Sequence, residues 1–482
     1  MRALLEWLKP GAKVKRYIFL QLISLGALAY SIIRLMSDEI ITPKILLAYI
    51  ALITISLFCT IYSFILAQRN VLKTTLKNMA YQDRNSDIRK LLYTESMLKK
   101  GPKIVMIGGG KGLSNILSGL KEFTSNITSI VSTFDDGGDT GVIMEQVDML
   151  PPGDIRRSII ALSSSEPTME KLLSFRFKDG KIGNHSVGNI MIAAMNEIMG
   201  GFAPAVQKLS EILNVKGKIL PVTLDKAKLC AGLENGEIVV GENNIRPRVV
   251  ESKSRIKQIF LKDTAAEAAP GVLEAIREAD AIVLGPGSLY TSVICNLLVT
   301  DLGKTIIQSR AKKIMVSNLM NEPGETLGYT LAKHVNEVER YLGKHALDYV
   351  IANNGEITED MLVDFNQGES TPVIADLPNI QNRTISVIEE DLVITAPNSI
   401  LHDNLRVAEL IVEIAKSKKT GNLNLLRRKK KHKKNAAKIE KGSKLENSGK
   451  NKATKELAEK MKNIKIPKIS QKENKKEKTE NK

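Results

Sequence analysis

The sequence predicts an α/β fold built on a parallel sheet, and three stretches carry that prediction. The apolar run from Ile104 to Ile107 stops at Gly108, Gly109 and Gly110, and after Lys111 and Gly112 an apolar periodicity of helical spacing begins (Leu113, Ile116, Leu117, Leu120). A second apolar run, Ile127 to Phe134, ends on Asp135, Asp136, Gly137 and Gly138. Downstream the pattern returns: VLEAIREAD, AIVL, then Gly285-Pro286-Gly287-Ser288, then LYTSVICNLLV, read as helix, strand, tight turn and helix. Glycines after one strand and acids after the next bring backbone N–H groups to a phosphate and a carboxylate to a sugar or metal.

Composition separates the middle of the chain from its ends. At 482 residues there is room for a large core and more than one region. The net charge of +17 is uneven: residues 421–482 hold 22 Lys+Arg against 7 Asp+Glu, residues 1–100 hold 15 against 6, and residues 101–420 are left at −7. The basicity belongs to the flanks, and no specific nucleic-acid binding is expected of the centre. Cys59, Cys230 and Cys295 are too few and too scattered for a zinc site or a disulfide framework, which suits a reducing compartment.

In chain order, residues 1–67 read as a membrane hairpin. Segments 17–36 and 45–67 are predominantly apolar and each long enough, at roughly 20 residues, to cross a bilayer. Lys9, Lys13, Lys15 and Arg16 precede them and Arg69, Lys73 and Lys77 follow. The positive-inside rule therefore places both termini and the large domain in the cytoplasm, as a multi-pass protein of the cell membrane. Residues 68–101 read as a helical linker, stopped by Gly101-Pro102, and 102–418 as the α/β domain. Within it, 217–262 is expected to form a small inserted β-rich lobe, because short β-branched runs flank the Asn235-Gly236 turn signal. The lobe is expected to cover the site or to make an oligomer contact. Further strands are expected at 312–320 and 348–354, weaker ones at 385–395, and a closing helix at 403–418. The lysine-rich segment 419–482 is predicted to be disordered, with anionic lipid or a protein partner as its expected contacts.

The candidate site residues follow from the turns. Leu113 stands where the dinucleotide fingerprint needs a glycine, and Val105 where a P-loop needs one, so Gly108–Gly112 supports only a phosphate-bearing ligand. Asp154, after Pro151-Pro152, falls where a helix cap or first-turn acid lies, and is the alternative ligand or metal contact. Of the adjacent Arg156 and Arg157 only one can face a phosphate, and Arg156 is taken for it. The helix entry GNHSVGN offers Asn184 or Ser186 as cap, and His185 and Asn189 as ligand contacts. A second anion nest is expected at Gly285, Gly287 and Ser288, with Tyr290 and Thr291 in the following turn, and Asn318 ends a neighbouring strand.

Taken together and in order, GGGKGLS, DDGGDTG, LPPGDIR, GNHSVGN, LGPGSLYTS and NEPGETLGYT closely resemble the YvcK family, also called gluconeogenesis factors, which is related to CofD, the 2-phospho-L-lactate transferase. The resemblance spans roughly 103–418 and leaves out the hairpin and the tail. It implies a Rossmann-like domain that binds a nucleotide sugar such as UDP-N-acetylglucosamine and serves cell shape and envelope (peptidoglycan) synthesis. In CofD relatives a paired aspartate after the second strand serves metal and phosphate chemistry, and Asp135 and Asp136 match it. Lys111 stands where most relatives have threonine, and DDGGDTGV replaces DDGGSSGR, with Val142 in place of the arginine.

Three functions are compatible with these motifs. The first is a membrane-tethered, nucleotide-sugar-binding regulator with no turnover, expected to form homo-oligomers. The second is a CofD-like transfer of a phosphate-linked group, with Asp135 and Asp136 holding Mg²⁺ as the catalytic pair and the glycine loops stabilising diphosphate charge. The third is NAD-dependent redox chemistry, since an acid follows the glycines by about 25 residues, near the dinucleotide spacing of about 20, although the third glycine is missing.

Overall fold

The computed structural model describes residues 14–37, 42–79, 95–138, 141, 147–164, 167–178, 183, 185–262, 265–365, 370–381, 384–396 and 399–417. The chain divides into Met1–Lys416 and Ser417–Lys482. The expected disordered tail, 419–482, lies outside the described residues, as do Lys418, Asn184 and Val142.

The N-terminal hairpin keeps its large apolar side chains on the outside. Its helices, Val14–Ser37 and Pro43–Met79, contain apolar spans at Phe19–Ser37 and Pro43–Gln68, each long and apolar enough to cross a membrane and each with few buried residues. The residues that are buried are small and polar: Ser24, Ser31, Ser56 and Ser63. The Thr60 hydroxyl donates to Ser24 Oγ across the pair at 3.1 Å. Phe19, Leu47 and Phe58 face outward at 67–73% exposure. The second helix runs on to Met79, so the expected linker begins as its direct continuation.

The α/β domain is organised by one seven-stranded sheet. Its strands in chain order are β1 (Ile104–Gly108), β2 (Ile127–Val131), β3 (Lys218–Pro221), β7 (Ala281–Leu284), β8 (Lys312–Val316), β9 (Tyr349–Asn353) and β10 (Ser386–Glu390). They lie in the order β10-β9-β8-β7-β1-β2-β3, all parallel. Alternation within the strands feeds two cores. Val105, Ile107, Ile282 and Leu284 enter one layer, and Ile104, Met106, Ala281 and Val283 enter the other. Helices Gly110–Leu120, Gly153–Leu162, Val187–Met199, Phe202–Ile212 and Asn404–Lys416 contribute buried residues to the second layer.

Two expectations change in detail. The apolar run from Ile127 pairs only as far as Val131, and residues 132–136 continue without sheet pairing. The inserted lobe is present as an antiparallel sheet of β4 (Leu229–Leu233), β5 (Ile238–Val240) and β6 (Ile256–Leu261). Its expected first strand, β3, instead extends the main sheet, and its middle is the helix Glu242–Ser252. The weak C-terminal strands divide between β10 in the main sheet and a hairpin of β11 (Val393–Ala396) and β12 (Ser399–His402).

His402 ties that hairpin to the sheet. Its buried Nε2 donates to the Ser317 carbonyl at 3.0 Å, and burial pulls its pKa down to about 4. Since the unfolded value is near 6.5, the unfolded chain binds the proton first. Stability contributed by the neutral ring is therefore full above about pH 6.5 and falls as pH drops toward 4, by roughly 3 kcal/mol over the window. His334, also shifted down by burial, adds to the same slope. Denaturant midpoints at pH 7 and pH 5 should show this loss, and His402→Gln should flatten it.

Candidate functional site

The sheet places a topological switch between β1 and β7. From β1 the chain proceeds to β2 and β3 on one side, then returns through the lobe to β7 on the other. Because Ile104 pairs with Ala281 and Ile107 with Leu284, the turns that leave the two strands emerge side by side. In an open parallel sheet this crevice at the carboxyl edge is where ligands bind.

The two turns meet backbone to backbone. Gly110 opens the helix Gly110–Leu120 with φ +72°, a conformation that favours glycine. A Cβ on Gly112 would stand 2.7 Å from the Pro286 carbonyl oxygen, and one on Gly287 would stand 3.1 Å from the carbonyl of Gly109. Gly109 itself is extended, so its backbone would admit any residue. What excludes a side chain is the Asp154 carboxylate, 2.3 Å from where the Cβ would lie. That carboxylate accepts the Gly110 N–H at 2.8 Å, and its other oxygen pairs with Arg157.

The turn Gly285–Ser288 is fixed from the β8 side. Gly285 donates its N–H to the Ile107 carbonyl at 3.0 Å. Asn318 accepts the Gly287 N–H at 3.2 Å and donates to the Gly287 carbonyl at 2.8 Å, and the Ser288 hydroxyl donates to Glu322 at 2.8 Å. Glu325, buried, accepts from the Tyr290 N–H at 3.1 Å and from the Thr291 hydroxyl at 2.9 Å. Burial and Glu322 push Glu325 up to about 7, against the pull of Arg246. The expected regular helix after this turn is a π-helical segment, Leu289–Val293, followed by a 3-10 segment, Ile294–Leu298.

The acids after β2 face the lobe. Asp135 Oδ1 accepts the Gly137 N–H at 3.1 Å, and burial, with Asp154 and Asp136 adding, raises its pKa. Asp136 accepts the Asn243 N–H at 2.9 Å, in the first turn of the lobe helix Glu242–Ser252. A negative side chain there complements the helix dipole, which is how the lobe is held against the sheet edge. Glu242, at the start of that helix, is pushed up to about 8 by burial and then by Asp135 and Glu325.

The structure thus gathers Gly108, Gly109, Gly110, Gly112, Asp135, Asp136, Asp154, Gly285, Gly287, Ser288 and Asn318 around one edge. Lys111 is exposed in the first helical turn and Gly138 is exposed beyond the acid pair. Leu113 and Tyr290 are core residues, the Tyr290 hydroxyl being spent on Tyr329 at 3.0 Å, and Thr291 is buried with its hydroxyl on Glu325. Arg156 is a correction: it is buried and its Nε donates to Asn189 Oδ1 at 2.9 Å, joining two helices. Arg157, one position on, is the guanidinium beside the glycine turn. Asn189 is accordingly a packing partner, and Ser186 caps its helix by accepting the Asn189 N–H. His185 is half-buried at that helix entry, where its carbonyl accepts the Phe177 N–H at 3.2 Å.

Three site residues have no place among the expected ones, Glu242, Glu322 and Glu325, and Arg157 is the member of the arginine pair that was set aside. Glu322 and Glu325 lie in the NEPGETLGYT motif, whose paired acids after a strand were the available signal. Among the described residues no three His, Cys, Asp or Glu side chains converge as a metal site. Asp135 and Asp136 each place one oxygen on a backbone N–H. The pair fits Mg²⁺ only in the manner of one or two carboxylates that a ligand's phosphate oxygens complete.

A doubly wound parallel sheet with two glycine turns meeting at its switch point defines a protein of the Rossmann-like α/β class. The chain belongs to the CofD family: the family model for 2-phospho-L-lactate transferase CofD matches residues 104–393. Within it the similarity is to proteins called gluconeogenesis factor, the YvcK group. A Clostridium acetobutylicum protein bearing that name is 40% identical over 419 residues, covering 86% of this chain and 92% of its own. The Bacillus subtilis gluconeogenesis factor is 40% identical over 316 residues, covering 65% of this chain and 98% of its own. The crystal structure of a Bacillus halodurans protein superposes with a TM-score of 0.62 at 37% identity, over 65% of this chain and 99% of that one.

Proposed function

We propose that this chain is a membrane-tethered factor that binds a nucleotide sugar of the UDP-N-acetylglucosamine kind and regulates cell shape and envelope synthesis. The observation that carries the proposal is the closure of Gly109–Gly112 against Gly285–Ser288 at the switch point, with Arg157 beside it. Backbone N–H groups at a helix start, a guanidinium and an adjoining acid pair suit a diphosphate linked to sugars. The tether is supported by the hairpin, whose serines are buried and whose large apolar side chains are exposed, the inverse of a water-soluble core. In thermal-shift measurements on the full chain, saturating UDP-N-acetylglucosamine, at about 100 times its Kd, should stabilise the protein by roughly 2.7 kcal/mol. A shift with other nucleotides and none with millimolar UDP-N-acetylglucosamine would remove this ligand.

A second reading, Mg²⁺-assisted transfer of a phosphate-linked group, is favoured by the family description and by Asp135 and Asp136 at the edge. When bound, Mg²⁺ would neutralise phosphate charge there. The chain's own contribution would be the Gly110 turn and Arg157, which orient the diphosphate. Product formation from nucleotide donors with Mg²⁺, lost in Asp135→Asn, would favour transfer over regulation.

A further inference from the structure

Four backbone N–H groups at this edge are met by the protein's own carboxylates: Gly110 by Asp154, Gly137 by Asp135, Asn243 by Asp136 and Tyr290 by Glu325. The last three hold loops in place. The first lies on the glycine turn itself and brings a cation with it. The Asp154 side chain is only 10% exposed, whereas that of its partner Arg157 is 32% exposed, so the guanidinium is within reach of solvent while the carboxylate is enclosed. The missing side chain at Gly109 leaves the gap that the carboxylate fills. Asp135 adds a second negative group to the same neighbourhood, where it is influenced by both Asp154 and Arg157. A phosphate arriving at Gly110 therefore finds the N–H taken and like charge around it.

Resting on the assignment of a diphosphate ligand to this edge, we propose that the Asp154 carboxylate is a resident stand-in for phosphate. The ligand displaces it from the Gly110 N–H, and Arg157 exchanges its Asp154 oxygen for a phosphate oxygen. Asp154 then acts as a gate on affinity: it keeps the turn preformed in the free protein and makes a single weak anion a poor competitor. If Asp154 instead touched the ligand or held a cation for it, removing its charge would weaken binding, so the two roles predict opposite signs.

The test is calorimetric titration of the full chain in detergent micelles with inorganic pyrophosphate in Mg²⁺-free buffer. Asp154→Asn should bind pyrophosphate about tenfold tighter than the wild type, the effect of removing one nearby negative charge. Arg157→Gln should bind about tenfold more weakly. Equal or weaker binding by Asp154→Asn, unchanged binding by Arg157→Gln, or no binding by any of the three proteins overturns the proposal. Should Asp154→Asn fail to fold, Asp154→Ser, which also removes the charge and leaves the gap beside Gly109 open, is read in its place with the same expected sign. Titration of the wild type with UDP-N-acetylglucosamine is read separately. Tighter pyrophosphate binding by Asp154→Asn with no UDP-N-acetylglucosamine binding keeps the gate and rejects that ligand, and the converse keeps the ligand and rejects the gate.

Discussion

Gly112→Ala is expected to weaken diphosphate-ligand binding by at least about 100-fold, or roughly 2.7 kcal/mol. The added Cβ would lie 2.7 Å from the Pro286 oxygen, 2.9 Å from its carbonyl carbon and 3.2 Å from the Gly287 nitrogen. All three are backbone atoms, so no side-chain rotation relieves the contact. The turn after β1 must separate from the turn after β7, which removes the geometry on which a preorganised anion site depends. Overpacking of this kind costs roughly 1–3 kcal/mol of stability as well. Gly303→Ala serves as the control, because in its helix the nearest atom to a Cβ is 3.9 Å away. It should leave binding unchanged and stabilise slightly, by roughly 0.5–1 kcal/mol. Calorimetric titration of the two variants side by side checks both statements.

Glu325→Ala is expected to produce the largest loss of stability among the site residues, on the order of 3 kcal/mol. It leaves the Tyr290 N–H and the Thr291 hydroxyl without their acceptor in a buried position. It also frees the turn that Gly112 contacts, so ligand affinity should fall with stability. The effect carries a pH signature. Burial raises Glu325 to about 7, above the ordinary glutamate value near 4.3, so the folded protein holds the proton through that interval. Stability from this group is full below about pH 4.3 and declines as pH rises to about 7. The gap between wild type and Glu325→Ala should therefore narrow between pH 5 and pH 8. Glu242, raised to about 8 by burial and in part by Asp135 and Glu325, contributes a parallel slope that the variant keeps only in part, which leaves the sign of the change in the gap the same. Urea midpoints at the two pH values measure the gap; a gap that widens contradicts the assignment of the buried proton to Glu325.

Much of this edge is legible in the sequence because glycine placement is dictated by close approach. The runs GGGKG and GPGS name the two turns, and alternating apolar residues in KIVMI and AIVL name the central strands. What the sequence hides is mostly tertiary. Arg156 and Arg157 are chemically equivalent neighbours, and only the packing of helix Val187–Met199, with Gly188 making room for the Arg156 side chain, decides which one is buried. The lobe helix was hidden for another reason: ENNIRPRVVES has a proline inside it and little apolar periodicity. Its first turn is organised by Asp136, more than 100 residues earlier in the chain. Local propensity could not report an interaction of that range. Tyr290 illustrates the opposite error, since a polar residue in a site motif faces the core, where Tyr329 meets its hydroxyl.

The proposed nucleotide-sugar ligand would set its diphosphate where the turns after β1 and β7 meet. A crystal structure of the protein with UDP-N-acetylglucosamine tests it most directly. The phosphates are expected within hydrogen-bond distance of the Gly110–Gly112 backbone and the Arg157 guanidinium, with Asp154 withdrawn from Gly110. A ligand bound elsewhere, for example in the groove lined by Asp301, Lys304 and Tyr341, with Asp154 still on Gly110, would contradict it.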